Sequence, residues 1–277
     1  MVASLRVGEL EVKGFSDGIL QTSLDHLIGM TRAEGEALVG ATDGGALFIP
    51  VNNFVLRRDG HTILIDAGAG ATMQPTLGKL PDNLRAGGIE PESITQVVLT
   101  HIHPDHANGL VDGAGRPHYP NAELVVHERE VEFWLEPGHG NEPENVRRNR
   151  ARAKINLAPY RDRLRCIRDG EELFGLTAIL APGHTPGHTC WRIDEGSTAL
   201  LAWGDVVHFS SIQIAHPDVA VSYDLDKDLA RRSRRRILEM VAADRLIIAG
   251  AHVEAPGLGY VVRRNGSYMF EPAGAAG

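Results

Sequence analysis

Cysteine is almost absent from this sequence. Only Cys166 and Cys190 occur among 277 residues, and they form no CxxC pair. A disulfide framework is therefore not expected, and a reducing compartment such as the cytoplasm suits the chain. We expect both thiols to be packing residues rather than nucleophiles.

Long apolar runs and an excess of basic residues are also missing. No stretch of about 18 apolar residues occurs, so no membrane-spanning segment is expected. The segment Met1–Leu20 is charged every few residues and has no apolar core, so we expect a cytoplasmic chain without a signal peptide. The formal net charge of −8 argues against a nucleic-acid partner, because proteins that bind the phosphate backbone favour a basic surface.

Strand patterns are present in both halves of the chain. Alternating or apolar runs predict strands at 5–13, 54–66, 96–100, 123–127, within 164–204, at 246–249 and in a hairpin at 260–270. Helical patterns cover 80–87, 128–135, 142–157 and 224–243. The glycine-rich stretch 29–50 is predicted to be a long irregular loop, either a lid over a site or a surface loop without a role.

No break in composition marks a linker between domains. We therefore predict a single α+β domain over residues 1–277, with helices outside two layers of strands in a four-layer αββα sandwich.

The segment His101–His106 carries the functional prediction, because three histidines and one aspartate follow a buried strand directly. Alternate residues of an extended chain point the same way, so His101 and His103 share one side. Asp105 and His106 follow where the chain is expected to turn into a helix. Imidazole and carboxylate groups together suit zinc and similar divalent ions. A histidine-rich surface loop is the alternative, but the position at a strand end favours a metal site.

Further donors lie at the ends of later predicted strands, or in the loops after them. They are His184 and His188 in one turn, Asp205 after an apolar strand, and His252 after another. Sheet proteins gather their functional sites in such places, so these side chains could complete a site for two metal ions.

The order HxHxDH, then a histidine, an aspartate and a final histidine, resembles the metallo-β-lactamase superfamily. The resemblance implies the following ligands: His101, His103 and His188 on the first metal, Asp105, His106 and His252 on the second, and Asp205 bridging both. It leaves His184 as a structural residue or one that orients a ligand. Zinc is the expected ion, with cobalt, manganese or iron as alternatives that depend on supply.

Three segments, Asp205–His208, Ile212–Pro217 and Gly250–Tyr260, resemble the branch that contains methyl parathion hydrolase and acyl-homoserine lactone lactonases. This resemblance implies a metal-dependent hydrolase of lactones or esters, with acyl-homoserine lactones as the leading substrates, and it suggests a homodimer. A phosphotriesterase is the main alternative. A di-iron redox protein is less favoured, because such relatives usually carry glutamate at the position of His103 and a flavin domain. A nuclease is disfavoured by the net charge.

The expected chemistry follows from two metal ions that share one water. They lower its pKa from about 15.7 towards about 7, so that a bridging hydroxide can attack a carbonyl at neutral pH. Asp105 or Asp205 would pass a proton to the leaving alkoxide. Many homoserine lactonases carry a tyrosine three residues after the bridging aspartate, placed to touch the substrate carbonyl. This chain has His208 there, which is either a hydrogen-bond donor to the substrate or a structural residue.

The other residues of interest have less specific interpretations. Asp66 is expected either to orient a ligand histidine or to sit in an ordinary turn. The remaining histidines, expected to be superficial or structural, are His26, His61, His118, His127, His139 and His216. Core packing is preferred over a pocket for Phe48, Phe133, Trp134 and Phe209.

Overall fold

Two seven-stranded sheets form the centre of the computed structural model, which describes residues 3–40, 44–138, 140–255 and 257–274. The strands are β1 (Ala3–Val7), β2 (Leu10–Ser23), β3 (Leu27–Ile28), β4 (Ala46–Arg58), β5 (His61–Ile65), β6 (Gln96–Val98), β7 (Glu123–His127), β8 (Leu164–Ile167), β9 (Glu172–Leu173), β10 (Leu176–Leu180), β11 (Thr189–Glu195), β12 (Thr198–Gly204), β13 (Ala220–Val221), β14 (Ile247–Gly250), β15 (Leu258–Arg264) and β16 (Ser267–Pro272). The α-helices are α1 (Arg32–Val39), α2 (Leu80–Ala86), α3 (Pro104–Ala107), α4 (Glu128–Leu135), α5 (Glu144–Leu157), α6 (Ser210–Gln213) and α7 (Lys227–Ala243).

Both large sheets are mixed. The first has the order β1-β2-β4-β5-β6-β7-β8, and its pairs from β5 to β8 are parallel. The second has the order β16-β15-β14-β12-β11-β10-β9, with one parallel pair between β12 and β14. The short strands β3 and β13 pair with each other separately.

Alternation along the strands builds the layers. In β5, Ile63 and Ile65 belong to the apolar core between the two sheets, whereas Leu64 packs on the opposite face. In β12, Leu200 faces the space between the sheets and Leu201 packs with residues of α7. Because α2, α4 and α5 cover the outer face of the first sheet and α7 covers the second, the predicted four-layer αββα architecture is confirmed.

The four predicted helices are confirmed with small shifts at their ends. Helix α7 begins later than predicted because Asp226 caps it: the backbone N–H of Leu229 donates to Asp226 Oδ1 at 2.9 Å. None of the helices in the described part of the chain is long and apolar enough to cross a membrane.

The prediction of an irregular stretch over 29–50 is wrong. Helix α1 and the first residues of β4 lie in this stretch, while residues 41–43 are outside the described part of the chain. A capping box starts the helix, because the N–H of Glu34 donates to Thr31 Oγ1 and the Glu34 carboxylate accepts from the N–H of Thr31 at 2.7 Å. The T-x-x-E spacing of Thr31 and Glu34 was the sequence signal for the start of this helix.

Two predicted strands are each divided by a turn. The 5–13 run breaks at Gly8, where φ is +58°, and β1 pairs with β2 as a hairpin. The 54–66 run breaks at Asp59 and Gly60, whose φ values are +50° and +81°. An Asp-Gly pair with positive φ is a common hairpin turn, so the sequence carried this signal as well.

Candidate metal centre

The candidate site lies where strand ends from both sheets meet. The segment 101–106 follows β6 of the first sheet. In the second sheet, His184 follows β10, Asp205 follows β12 and His252 follows β14. Residues distant in sequence are thereby brought to one edge of the sandwich.

The first cluster contains His101, His103, His184 and Asp205, all buried, with ligand atoms within 4.8 Å of one another. Oδ2 of Asp205 lies 3.2 Å from Nε2 of His184 and 3.6 Å from Nε2 of His101. Nδ1 of His103 is 2.7 Å from Nε2 of His184. Three imidazoles and one carboxylate oxygen therefore converge on one point.

The second cluster contains Asp105, His106, Asp205 and His252. Nε2 of His106 lies 2.9 Å from Oδ1 of Asp205 and 3.5 Å from Oδ2 of Asp105. Nε2 of His252 lies 3.2 Å and 3.3 Å from the same two oxygens. Asp205 thus presents Oδ2 to one cluster and Oδ1 to the other, which is the geometry of a bridging carboxylate.

The atoms that face the two clusters fit metal ions. Among the described residues, Nε2 of His101, His106 and His252 and Oδ1 of Asp205 are buried without any hydrogen-bond partner. A buried polar atom left in this state costs about 1–3 kcal/mol. Coordination to divalent cations would satisfy all of these atoms, and a set of imidazoles and carboxylates is typical of zinc and related ions.

The charge of the clusters also favours cations. Burial opposes ionisation of Asp205, yet the surrounding imidazoles, led by His106, hold its pKa well below the ordinary value. Burial keeps the pKa of His101 and His103 well below theirs, so both rings are neutral. Burial lowers the pKa of His252 too, but the two carboxylates, led by Asp205, raise it to about 10. Asp105 and Asp205 therefore favour a positive charge beside them, which either a proton on His252 or a bound cation can supply.

In three of these histidines, the ring nitrogen Nδ1 has a polar partner outside the two clusters. Nδ1 of His106 lies 2.8 Å from Asp66 Oδ2, and Nδ1 of His184 lies 2.9 Å from Asp224 Oδ1. Nδ1 of His252 donates to the carbonyl oxygen of Pro50 at 2.8 Å. Such partners fix the orientation and tautomer of a ligand imidazole.

Asp66 has the predicted role of orienting a histidine. The backbone N–H of Thr100 donates to Asp66 Oδ1 at 2.7 Å, and the Thr100 hydroxyl contacts Oδ2 at 2.9 Å. Nδ1 of His101 in turn lies 3.0 Å from Thr100 Oγ1. One carboxylate therefore positions His106 directly and His101 through Thr100.

The assignment of His188 as a ligand needs correction, because the structure brings His184 into the first cluster and leaves His188 outside. Nε2 of His188 accepts a hydrogen bond from the backbone N–H of Asp205 at 2.9 Å. Burial lowers the pKa of His188 to about 3, which keeps the ring neutral for this acceptor role. His188 therefore supports the strand end that carries Asp205.

Gly204 explains how His188 comes so close to the backbone. Its φ is +53°, and a Cβ atom on it would lie 2.7 Å from Nε2 of His188 and 2.8 Å from Cβ of Thr100. The sequence offered two histidines on one turn and no local signal that separated them. The structure separates them by the start of β11, because His188 directly precedes its first residue, Thr189.

His208 lies beside the bridging carboxylate. Its Nε2 is 2.9 Å from Asp205 Oδ2, and its buried Nδ1 has no hydrogen-bond partner among the described residues. The ring stacks on His252 with centroids 5.6 Å apart and meets Tyr223 edge-on at 4.9 Å. Its Nε2–H is thus directed at Asp205, although the ring also borders the cavity described next.

A cavity of about 340 Å³ opens onto both clusters. Its apolar walls include Leu20, Ile49, Met73, Val146 and Leu225. Its polar walls include Gln21, Thr22, Asn145, Asn149 and Tyr223. The active-site cavity, as we call this space, therefore suits a molecule with both apolar and polar parts.

Several residues given minor roles at the sequence level also occur near the cavity. Trp134 is fully buried, lines the cavity and donates from Nε1 to Glu130 at 2.9 Å. His26 lines the cavity as well and contacts Ser222.

Two other predictions have different outcomes. Phe48 is 66% exposed, so its predicted core position is wrong. His139 lies outside the described residues.

The sequence model of the metallo-beta-lactamase superfamily matches residues 47–252, and the chain belongs to this family. The match spans the candidate ligands from His101 to His252. Together with the two clusters, it defines the chain as a metal-dependent hydrolase of the superfamily.

Two solved structures and one sequence relative are similar to this chain. The crystal structure of the hydrolase AbOPH in the beta-lactamase superfamily superimposes with a TM-score of 0.93 at 28% identity, covering 98% of this chain and 97% of that one. AidC, a dizinc quorum-quenching lactonase in complex with its product N-hexanoyl-L-homoserine, has a TM-score of 0.89 at 26% identity with the same coverage. The N-acyl homoserine lactonase AttM of Azorhizobium caulinodans is 33% identical over 124 residues, a match that spans 43% of each chain.

Proposed function

We propose that this chain is a dinuclear metal-dependent lactonase and that N-acyl homoserine lactones are its leading substrate class. The observation that carries the proposal is Asp205, whose two oxygens face separate clusters of donors at the floor of an amphiphilic cavity. The relatives AidC and AttM, both described as lactonases, support the same substrate class.

The volume and the mixed lining of the active-site cavity suit an acyl lactone. A ring ester would lie against the clusters, and the amide next to it could hydrogen-bond to polar side chains such as Gln21, Thr22 or Asn149. The acyl chain would run along Leu20, Ile49 and Val146, which line the same space. Ligand sites commonly combine apolar walls with a few polar groups that fix orientation.

The clusters would hold two ions: His101, His103 and His184 on one side, Asp105, His106 and His252 on the other, and Asp205 between them. When bound, such ions polarise a carbonyl oxygen and lower the pKa of water. Asp66 and Asp224 keep the imidazoles in place.

Opening a lactone requires a proton for the leaving alkoxide oxygen. Asp105 and Asp205 are ionised carboxylates at the cavity floor, and either can take a proton from the attacking water and pass it on. His208 directs its Nε2–H at Asp205 Oδ2, so we assign it the role of orienting this carboxylate.

Hydrolysis of a substrate panel by the metal-loaded protein tests the proposal. The panel contains N-acyl homoserine lactones of increasing chain length, an aryl ester and a phosphotriester. Asp205→Asn is the control, because it removes the bridging charge while keeping the side-chain shape. We expect lactone opening that depends on chain length and is abolished in the control.

Two other outcomes would change the assignment. Phosphotriester turnover far above every lactone rate would make the chain a phosphotriesterase. Silence toward lactones and the aryl ester, with two metal ions bound per chain, would overturn the lactonase proposal and leave the metal site intact.

A further inference from the structure

A second cavity of about 490 Å³ adjoins the active-site cavity. We call it the distal pocket, and its own lining includes Thr72, Gln74, Asn108, Ala151, Arg152 and Ile155. Met73, Pro104, Arg148 and Asn149 line both cavities, so the two spaces meet along a shared wall. A ligand chain long enough to pass Met73 would therefore reach the distal pocket.

Helix α5 supplies the basic side of this pocket. Within Glu144–Leu157 the helix carries five basic residues and one acidic residue, although the whole chain has a net charge of −8. Arg150 is buried and paired with Glu142 at 2.5 Å. Arg148 and Arg152 instead line the distal pocket. They lie one helical turn apart, so they present their charges on the same side.

The two arginines have spare donors. Among the described residues neither guanidinium is in an ion pair, and no carboxylate lines the distal pocket. Arg152 Nη2 donates to Thr72 Oγ1 at 3.2 Å, whereas its buried Nε has no hydrogen-bond partner among the described residues. A buried donor without a partner indicates space for an acceptor from outside the chain.

The same pocket exposes apolar surface. Met73 is 36% exposed and Ile155 is 50% exposed. Apolar surface beside guanidinium groups that have no ion pair among the described residues fits an amphiphile with an anionic end, because a guanidinium binds carboxylates through charge-assisted hydrogen bonds.

We propose that the distal pocket binds the far end of the substrate's acyl chain and selects chains that end in an anionic group such as a carboxylate. This proposal rests on the lactonase function proposed above. It makes Arg148 and Arg152 specificity-determining residues that belong to neither metal cluster.

Matched substrates test this selection. N-acyl homoserine lactones with chains from hexanoyl to dodecanoyl are prepared with a terminal carboxylate and with an isosteric terminal carboxamide. For the longer chains we expect kcat/KM of the metal-loaded protein to favour the carboxylate by roughly tenfold, which corresponds to about 1.4 kcal/mol. The ratio should fall at high salt, since the guanidinium groups are near solvent.

Variants of one helix provide the controls. Arg148→Gln and Arg152→Gln should each reduce the carboxylate-to-carboxamide ratio, and Arg148→Lys should restore part of it. Arg147→Gln removes the same charge from an exposed position that lines neither cavity, so the ratio should be unchanged. A ratio near one in the unmodified protein, or an equal loss in Arg147→Gln, would overturn the proposal.

Binding separates this proposal from the lactonase function. The ring-opened N-acyl homoserines with carboxylate and carboxamide ends are titrated calorimetrically into the metal-loaded protein, with no turnover required. Stronger binding of the carboxylate form, lost in Arg148→Gln and Arg152→Gln, supports the distal pocket even if no lactone is hydrolysed. Equal binding of both forms overturns the proposal even if lactones are good substrates.

Discussion

Asp224 and His184 are joined by a 2.9 Å contact between Oδ1 and Nδ1 in a fully buried setting. Asp224 also accepts from the backbone N–H of Val221 at 3.1 Å, so its carboxylate is fixed in turn. The orientation of His184 toward Asp205 therefore depends on a residue that lies 40 positions away in the sequence.

Removing this anchor should weaken metal binding without removing a ligand. We expect Asp224→Asn to lower metal affinity by about 10–100-fold, because an amide cannot accept the Nδ1 proton as strongly. Competition with a fluorescent chelator measures the effect. Asp162→Asn is the control, since that side chain is 88% exposed, and equal affinities in both variants would contradict the role of Asp224.

The two histidines of the 183–188 turn should differ in metal content. His184→Ala removes a member of the first cluster, so we expect the purified protein to hold about one ion per chain instead of two. His188→Ala should retain two ions and lose stability, because the amide of Asp205 loses its acceptor. Elemental analysis together with thermal unfolding distinguishes them, and loss of an ion in His188→Ala alone would reinstate the original assignment.

Metal removal should destabilise the fold. A ligand present at 100 times its Kd stabilises the folded state by about 2.7 kcal/mol, which for a chain of this size corresponds to roughly 5–10 °C in Tm. We therefore expect a chelator to lower Tm by at least this amount, and zinc to restore it. An Asp205→Asn variant should respond much less to the chelator, and an equal response would place the stabilising ion elsewhere.

Asp17 is expected to hold the segment that leads from Asp66 to α2. Its buried carboxylate accepts from the backbone N–H groups of Ala69, Gly78 and Leu80 at 2.9–3.0 Å. An asparagine offers a single acceptor oxygen, so Asp17→Asn should lower the free energy of unfolding by about 1–3 kcal/mol. Denaturant titration measures this, with Asp162→Asn as the matched surface change. A difference below about 0.5 kcal/mol would show that the loop does not depend on Asp17.

The sequence predicted most of the layers and most of the metal cluster for physical reasons. The HxHxDH segment is local, so strand alternation was enough to bring His101 and His103 together. Alternating apolar strands and amphipathic helices likewise depend on near neighbours. Helix α1 was missed because its glycine-containing sequence masked the capping box at Thr31 and Glu34.

Other features depend on contacts between distant parts of the chain. The choice between His184 and His188 is made by where β11 begins and by the close approach of His188 to Gly204, which no local pattern records. The active-site cavity joins residues of β2, α5 and the loop after β13, so its mixed polarity emerges only when both sheets are assembled.

The donors of the candidate metal centre come from both sheets. Residues 101–106 lie after a strand of the first sheet, and His184, Asp205 and His252 lie after strands of the second. A bound pair of ions is therefore a cross-link that closes chain loops of roughly 80 to 150 residues, a constraint that an unfolded chain would resist entropically. Without metal, the protein would lose this cross-link between its two sheets as well as its activity. The metal-free sheets would then be less tightly joined and more accessible to proteases, so the cellular metal supply would set the lifetime of the protein as well as its rate.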